Sequence, residues 1–246
     1  MSLRLAAFLC CILGCSACEI SFADELLDTK RQSFPAAGVT GARFETGAGE
    51  LEIRGRSGAT QIEVVAEYRG APHGSRTREA ILDSMKLTME IRGQSFYLKT
   101  EMRNESHWNE SGRIDLRVTV PAALDLDIRD GAGGMNIAAV DGNVTIDDGS
   151  GGIDVADIGG NLKIRDGSGS ITVHNVRKDV RIIDGSGGID ISRVGGNVWI
   201  EDGSGGIEVH DVAGRLDIPQ AGSGGVSYGD VRGAINVPSR RRHSSH

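Results

Sequence analysis

Five aspartates recur in this chain with an 18-residue period, and they are the side chains whose type and spacing could most clearly do chemistry. Each is followed by a glycine, at Asp130, Asp148, Asp166, Asp184 and Asp202. Carboxylate oxygens are ligands that Ca²⁺ prefers, so a regular column of them could hold a row of cations. At the strand spacing of about 4.8 Å, neighbouring charges repel by roughly 0.9 kcal/mol even in water. Some partner must offset that repulsion.

Two partners for this aspartate column are open. Each carboxylate could accept amide protons from the serine and glycine that follow it, which is an Asx turn repeated along the chain. Alternatively, Ca²⁺ or another cation could lie between successive turns, because an 18-residue unit equals two nonapeptides of the RTX calcium roll. In that roll an aspartate stands two residues before the buried aliphatic residue, whereas this chain has Ile153 and its equivalents there. The sequence therefore favours the turn, and we expect no cofactor other than this candidate Ca²⁺ ladder.

A serine column accompanies the aspartates within the repeated segment Asp-Gly-Ser-Gly-Gly, at Ser150, Ser168, Ser186 and Ser204. The segment resembles the Gly-Asp-Ser-Gly-Gly nucleophile of trypsin-like proteases, but its first two residues are in the opposite order. Serine catalysis needs one serine beside one positioned base and an oxyanion hole, not a repeated row. His174 and His210 share another column two units apart, and the pattern places them outward. We therefore expect no catalytic residue and no enzyme activity.

The elements that must position these columns follow from the repeat, which is approximately D-G-S-G-G-I-x-V-x-x-V-x-G-x-V-x-I-x. Each unit has five apolar positions, which in the second unit are Ile153, Val155, Ile158, Leu162 and Ile164. The alternations I-x-V and V-x-I are typical of short strands with one buried face, and β-branched residues dominate both. Each unit is therefore predicted to contain two brief strands.

Stacking is required by this arrangement, because one unit cannot bury its apolar face alone. Successive units about 4.8 Å apart would join the apolar positions into continuous columns. The predicted fold class is therefore all-β, a parallel β-solenoid with 18-residue coils, and the hand of parallel crossovers favours a right-handed one. The glycine-rich corner requires positive φ and close backbone approach. The second corner does not require positive φ, since Lys178 stands where other units have glycine.

The remaining segments lack the strict period. Residues 24–128 are predicted to form an irregular amino-terminal β region with long loops, which caps the open strand edges of the solenoid. Within it, Thr46 to Ile53 echo the start of a unit, so the solenoid could begin there with long excursions. Regular repeats occupy residues 129–238. Residues 239–246 form a basic tail that we expect to be disordered, and its two histidines make a poor metal site.

Residues 1–23 have the pattern of an export signal, and all four cysteines lie within it, at Cys10, Cys11, Cys15 and Cys18. The apolar run of this segment is too short to span a bilayer. Two processing routes are open. The sequence before Cys15 resembles a lipobox, in which case the lipoprotein signal ends before Cys15 and this cysteine is lipidated. A small-x-small site ending at Ala23 would instead release a chain that begins at Asp24. Either route predicts an exported protein of the periplasm, outer membrane or cell surface.

Net charge limits the partners that we expect. A charge of −7 repels phosphate backbones and anionic lipids, so nucleic acid is not expected, and membrane contact is expected only through a lipid anchor. One outward strand position carries mainly acidic residues, and another carries Lys163, Arg181 and Trp199. Such solenoid faces are either solvated or bind a partner, here an unidentified protein or glycan surface.

A family resemblance rests on Val120-Pro121, the Leu-Asp-Leu-Asp-Ile segment after them, and the tandem Asp-Gly-Ser-Gly-Gly-Ile-x-Val units. These features resemble the bacterial putative adhesin family, a domain of unknown function, over roughly residues 40–237. The resemblance implies an exported β-helix protein and carries over no catalytic residue. The expected function is a noncatalytic envelope or surface protein, an adhesin-like scaffold or binding surface.

Two alternative functions remain open. One is a calcium-stabilised secreted module that uses the aspartate column. The other is a β-helix enzyme that acts on polysaccharide, which would need carboxylates gathered in a groove formed by insertions. Residues 130–219 contain no insertions in the repeat, which disfavours the enzyme.

Overall fold

The structure is a computed structural model that describes residues 24–73, 77–102 and 112–238. The predicted export signal, its Cys15 and the predicted disordered tail lie outside the described residues. The amino-terminal elements are β1 (Glu25–Pro35), β2 (Gly41–Glu45), β3 (Leu51–Arg56), β4 (Gln61–Gly70), α1 (Arg78–Ser84), β5 (Met85–Arg92), β6 (Ser95–Met102) and β7 (Gly112–Pro121).

Short strands follow one another through the rest of the described chain. They are β8 (Asp125–Asp130), β9 (Met135–Val140), β10 (Val144–Asp148), β11 (Ile153–Ile158), β12 (Leu162–Asp166), β13 (Ile171–Val176), β14 (Val180–Asp184), β15 (Ile189–Val194), β16 (Val198–Asp202), β17 (Ile207–Val212), β18 (Leu216–Ala221), β19 (Val226–Val231) and β20 (Ile235–Asn236). Each coil contains two segments in which apolar and polar residues alternate, and each segment forms one short strand with one buried face.

Two ten-stranded sheets contain all of these strands. Sheet A has the order β1-β4-β7-β3-β9-β11-β13-β15-β17-β19, and sheet B has the order β20-β18-β16-β14-β12-β10-β8-β2-β6-β5. From β8 onward the chain alternates between the sheets, so each coil contributes one strand to each. Ile153 pairs in parallel with Ile171, and Ile171 pairs in the same way with Ile189, so equivalent residues of successive units are partners. The predicted parallel β-solenoid with 18-residue coils is confirmed.

An aliphatic core fills the space between the two sheets. In the second unit Ile153, Val155, Ile158, Leu162 and Ile164 are each at most 2% exposed. Their equivalents above and below are buried in the same way, so the five predicted apolar columns all lie in the core. Full burial of one such side chain is worth about 1.5–3 kcal/mol before chain entropy is subtracted. The stacked columns are therefore the main source of stability.

A left-handed residue explains why the second and third apolar positions are three residues apart. Asp157 lies between Val155 and Ile158 and has a φ of 58°. One such residue occurs in each coil from β9 to β19, at Ala139, Asp157, Asn175, Arg193, Asp211 and Asp230. The extra residue shifts the strand alternation by one, so that Ile158 also points inward. The sequence signal was present, because Asp and Asn tolerate this conformation best among residues with a Cβ.

The glycine-rich corner has the backbone geometry that the sequence predicts. Gly151, Gly169, Gly187 and Gly205 have φ values of 141°, 147°, 152° and 145°. A Cβ added to Gly187 would lie 1.5 Å from the carbonyl oxygen of Gly169, so the coils approach too closely for any side chain. The glycines of the second corner are not in the positive-φ region, which agrees with the lysine in one unit.

The strands before residue 128 belong to the same two sheets as the strands of the regular repeats. β2 and β3 form a coil that pairs directly with β8 and β9, and a bridge joins Ala48 to Ala132 at the corner. β6 and β7 form the next coil outward, although they come later in the sequence. β1 and β4 pair antiparallel beyond β7, and β5 pairs antiparallel with β6. The coil of β2 and β3 therefore lies between two coils that both come later in the sequence.

At the carboxy-terminal end, β19 and β20 are the outermost strands of their sheets. The register between β16 and β18 shifts after Trp199, where Pro219 interrupts the repeat. Tyr228 and Ile235 occupy inward columns, and each is 45% exposed because no further coil of the described chain covers them. None of the helices among the described residues is long and apolar enough to cross a membrane.

Candidate functional site

The aspartate column is a sixth inward position of the coil. On β10, Val144, Ile146 and Asp148 all point inward, so the aspartate continues the buried face of the strand to the corner. Parallel pairing within sheet B places Asp148 opposite Asp130 on one side and Asp166 on the other. The five aspartates are between 0% and 8% exposed. The structure therefore brings the predicted residues together, but inside the solenoid rather than on a solvated edge.

Backbone amides of the following serines hold one oxygen of three of these carboxylates. Ser168 N donates to Asp166 Oδ1 at 3.3 Å and Ser186 N donates to Asp184 Oδ1 at 3.2 Å. The third bond runs from the Ser204 amide to Asp202 Oδ1 at 2.9 Å. The predicted Asx turn is confirmed at these three positions. In these turns the serines contribute their backbone amides.

The other oxygens of the column have no hydrogen-bond partner within the described chain. They are Oδ2 of Asp166, Asp184 and Asp202, and both oxygens of Asp130 and Asp148. A buried carboxylate without partners is costly when it is charged, so such a group binds a proton more readily. A protonated oxygen also becomes a donor, and the nearest acceptor of the same kind is the carboxylate one coil away.

The pKa of every aspartate in the column is raised above its ordinary value of 3.8, with burial as the largest cause. For Asp148 and Asp184 the pKa rises to about 6, because the charges of both column neighbours add to the effect of burial. Protonation of alternate members removes the like-charge repulsion between neighbours. Below about pH 6 the column can therefore relieve its repulsion with protons, without a cation.

The geometry gives the candidate Ca²⁺ ladder few ligands. No group of three or more His, Cys, Asp or Glu side chains in the described ranges is arranged to hold a metal ion. Each coil supplies one carboxylate to the column, whereas Ca²⁺ takes six to eight oxygen ligands. A row of cations would have to draw most of its ligands from backbone carbonyls and water.

The two histidines of the repeats lie on the outer face of sheet A. His174 Nδ1 is 2.9 Å from Ser192 Oγ, and His210 Nε2 is 2.9 Å from Glu208 Oε1. Serine and histidine also lie side by side in catalytic triads. Here, however, Arg193 Nη2 lies 3.2 Å from His174 Nδ1. A guanidinium there opposes the positive charge that a general base acquires, so the pair is poorly suited to activate a nucleophile.

The outer faces of the two sheets differ in charge. On sheet A, Asp154, Asp190 and Glu208 point outward in one column. On sheet B, Lys163, Arg165, Arg181 and Trp199 lie on three adjacent strands, and we refer to these four residues as the basic patch. The sequence pattern indicated the column of Lys163, Arg181 and Trp199, and it missed Arg165 on the neighbouring outward position of β12.

The second corner is lined by a ladder of amide and carboxylate side chains. Asn143 Oδ1 accepts hydrogen bonds from the backbone N and the Nδ2 of Asn161, at 3.0 and 3.1 Å. Asp179 Oδ1 accepts the same pair of bonds from Asn197, at 2.7 and 3.1 Å. These contacts satisfy backbone amides between coils, which confirms the predicted turn role of this column.

No family model and no curated protein matches the chain. Several solved structures are similar to it, including a putative lipid binding protein from Parabacteroides distasonis (13% identity, TM-score 0.44), which covers 86% of this chain and 97% of that chain. A putative cell adhesion protein from Clostridium sporogenes has 12% identity and a TM-score of 0.39, with 82% and 98% covered. A putative adhesin from Bacteroides fragilis has 12% identity and a TM-score of 0.35, with 85% and 96% covered.

These matches carry no information about what the chain binds, because identity is low and the superposition is partial. They include proteins described as putative adhesins, the group that the sequence features resemble.

Proposed function

We propose that this chain is a noncatalytic protein of the cell envelope or cell surface, and that its solenoid is a rigid scaffold that presents binding surfaces. The observation that carries the proposal is the register of the coils. Equivalent residues such as Ile153, Ile171 and Ile189 pair directly, and the inward aliphatic side chains from β8 to β18 pack in the core. The repeats are therefore built to present their outer faces.

The same register fixes the outward side chains in a lattice. Neighbours along the solenoid axis are about 4.8 Å apart, and outward neighbours along one strand are about 7 Å apart. Such a lattice suits a ligand with repeated chemical groups, because binding requires little reorganisation of the protein. Support for a scaffold over a polysaccharide-acting enzyme comes from the same coils, which carry no insertions that would form a catalytic groove.

Export is supported by the amino-terminal sequence alone. Its basic start, short apolar run and small residues have the order of an export signal. Lipid on Cys15 would attach the solenoid to a membrane, whereas cleavage before Asp24 would release it. The periplasm, the outer membrane and the cell surface are all compatible with the proposal.

Cell fractionation combined with mass analysis of the mature amino terminus tests this function. We expect the chain in the envelope or the medium, beginning either at a lipidated Cys15 or at Asp24. Protease treatment of intact cells then separates surface exposure from a periplasmic location. A full-length chain that keeps residues 1–23 and remains in the cytoplasm would contradict the proposal.

A further inference from the structure

The basic patch is an island of positive charge on a protein whose net charge is −7. Lys163 and Arg165 point outward from β12, and Arg181 lies directly beside Lys163 on β14. Trp199 follows in the same column on β16. The four side chains therefore cover three coils and two outward columns of sheet B.

Ion pairing within the described chain does not explain this arrangement. Like charges directly opposite each other on neighbouring strands destabilise a sheet. Lys163, Arg165 and Arg181 take part in none of the ion pairs found in the described part of the chain. Nearer the amino-terminal end of the same column, Arg43 Nη1 lies 3.8 Å from Asp127 Oδ2, so this face does pair opposite charges elsewhere. The three cations are left available for an external anion.

Arg181 is held in a defined orientation by Trp199. Its guanidinium carbon lies 3.5 Å from the centroid of the indole ring. Stacking of this kind leaves the edge of the guanidinium free, where its N–H groups form a fork that matches a carboxylate or sulfate. A group fixed before binding loses little conformational freedom when the ligand arrives. Arg181 therefore has the features of an anion-binding residue.

The borders of the patch limit its extent. Asp147 lies opposite Arg165 on the preceding strand, and Asp217 lies opposite Trp199 on the following strand. Glu201 stands beside Ile183 on the same face. Acidic neighbours on both sides would repel a continuous phosphate backbone or an anionic membrane. The patch therefore suits a flexible chain that places a few anionic groups on these cations and bends away from the protein at the acidic borders.

From this geometry we propose that the basic patch binds an acidic polysaccharide, through carboxylate or sulfate groups on neighbouring sugars. Arg181 binds one anionic group with its fork, and Lys163 and Arg165 bind the next groups along two directions of the lattice. Trp199 and the half-buried Ile183 supply apolar surface for the face of a sugar ring. This inference rests on the proposed function, because it names the class of ligand that one of the binding surfaces takes.

The fluorescence of Trp199 provides a direct measure of binding. The chain has two tryptophans, so in the Trp108→Phe protein all indole emission comes from Trp199. We expect polygalacturonate and heparin to change this emission in a saturable manner that weakens with salt, and neutral dextran to leave it unchanged. In the same background, a triple variant (Lys163→Gln, Arg165→Gln, Arg181→Gln) should raise Kd by about tenfold or more.

A second triple variant is the matched control. Arg31→Gln, Arg54→Gln and Arg177→Gln remove the same charge from exposed positions outside the outer face of sheet B, and Kd should stay within about twofold. Arg181→Lys keeps the charge but loses the fork and the planar stack on Trp199, and it should weaken binding. Equal losses in the two triple variants, or no response to either polyanion, would overturn the proposal.

Two other probes decide the ligand class. Duplex DNA and anionic phosphatidylglycerol vesicles should bind more weakly than the polysaccharides. If either binds as tightly and with the same dependence on the patch, the ligand class is wrong. A protein that is found in the envelope but fails these binding tests would retain the proposed function and lose only this inference.

Discussion

Asp166 and Asp184 lie opposite each other on adjacent parallel strands, each is 4% exposed, and each has an Oδ2 atom without a hydrogen-bond partner in the described chain. The pair belongs to a column of five inward carboxylates that lies beside the aliphatic columns of the solenoid core. Two buried neighbouring charges are costly, so the ionisation of this column must be coupled to folding. Several measurable properties follow from that coupling.

Stability should fall as pH rises from about 4 to about 7. The folded-state pKa of Asp148 and Asp184 is raised to about 6 from an ordinary value of 3.8. A raised pKa contributes stability that is complete below the unfolded pKa and is lost as pH rises through the folded pKa. The free energy of unfolding from urea titration should drop by on the order of 1–2 kcal/mol over this window. A flat or rising profile would show that the column is already neutralised in another way.

Asp184→Asn should stabilise the protein at pH 8 and have a smaller effect at pH 4. The amide keeps an oxygen for the Ser186 N–H, removes the charge and offers a donor to the neighbouring carboxylate. We expect a gain of about 1 kcal/mol at pH 8. Asp190→Asn, on the exposed face of the next strand, is the control and should change the free energy of unfolding little at either pH.

Removal of calcium should leave the melting temperature unchanged. Each coil gives the column a single carboxylate, so the geometry supplies few of the ligands that Ca²⁺ needs. Thermal melting at pH 7.5 with excess chelator and with added Ca²⁺ checks this prediction. A midpoint that rises with Ca²⁺ concentration would restore the cation ladder and the calcium-stabilised module.

Two adjacent glycines should respond very differently to alanine. Gly187 has a φ of 152°, and its added Cβ would meet the carbonyl oxygen of Gly169, whereas a Cβ on Gly188 meets nothing within 4 Å. Gly187→Ala should therefore cost several kcal/mol or prevent folding, and Gly188→Ala should change stability by about 0.5 kcal/mol or less. Ser170 stands at the equivalent of Gly188 in another coil, which shows that this position accepts a side chain. Similar effects of the two substitutions would mean that the corner is not packed as described.

Most of the solenoid was predictable because its signals are local and repeated. Ile153 and Val155 alternate with polar residues, and their equivalents recur in every unit, so both the strands and their stacking follow from one pattern. The turn role of Asn143 and Asn161 could be predicted for the same reason. Equivalent positions have the same environment in each coil, so five copies of the unit show which residue types that environment favours.

The inward direction of the aspartates was missed, although Val144, Ile146 and Asp148 continue a single alternation. Charged side chains are rarely buried, and here two effects make burial tolerable: the pKa of each carboxyl is raised, and three of the carboxyls accept a backbone amide. The order of the amino-terminal coils could not be predicted either. Pairing of β2 with β8 depends on contacts between residues that are far apart in the sequence, and no repeated pattern records them.

The central claim is that equivalent positions of successive coils lie directly over one another at the strand spacing. Pulsed electron resonance between nitroxide labels tests it, with cysteines introduced at Asn136 and Glu208 and the four native cysteines replaced by serine. These positions are four coils apart in one outward column of sheet A, so the distance should be about 19 Å. Moving the second label to Ser227, one coil further, should add about 5 Å. A distance that does not increase with the added coil, or a broad distribution beyond about 30 Å, would contradict the stacked solenoid and the scaffold built on it.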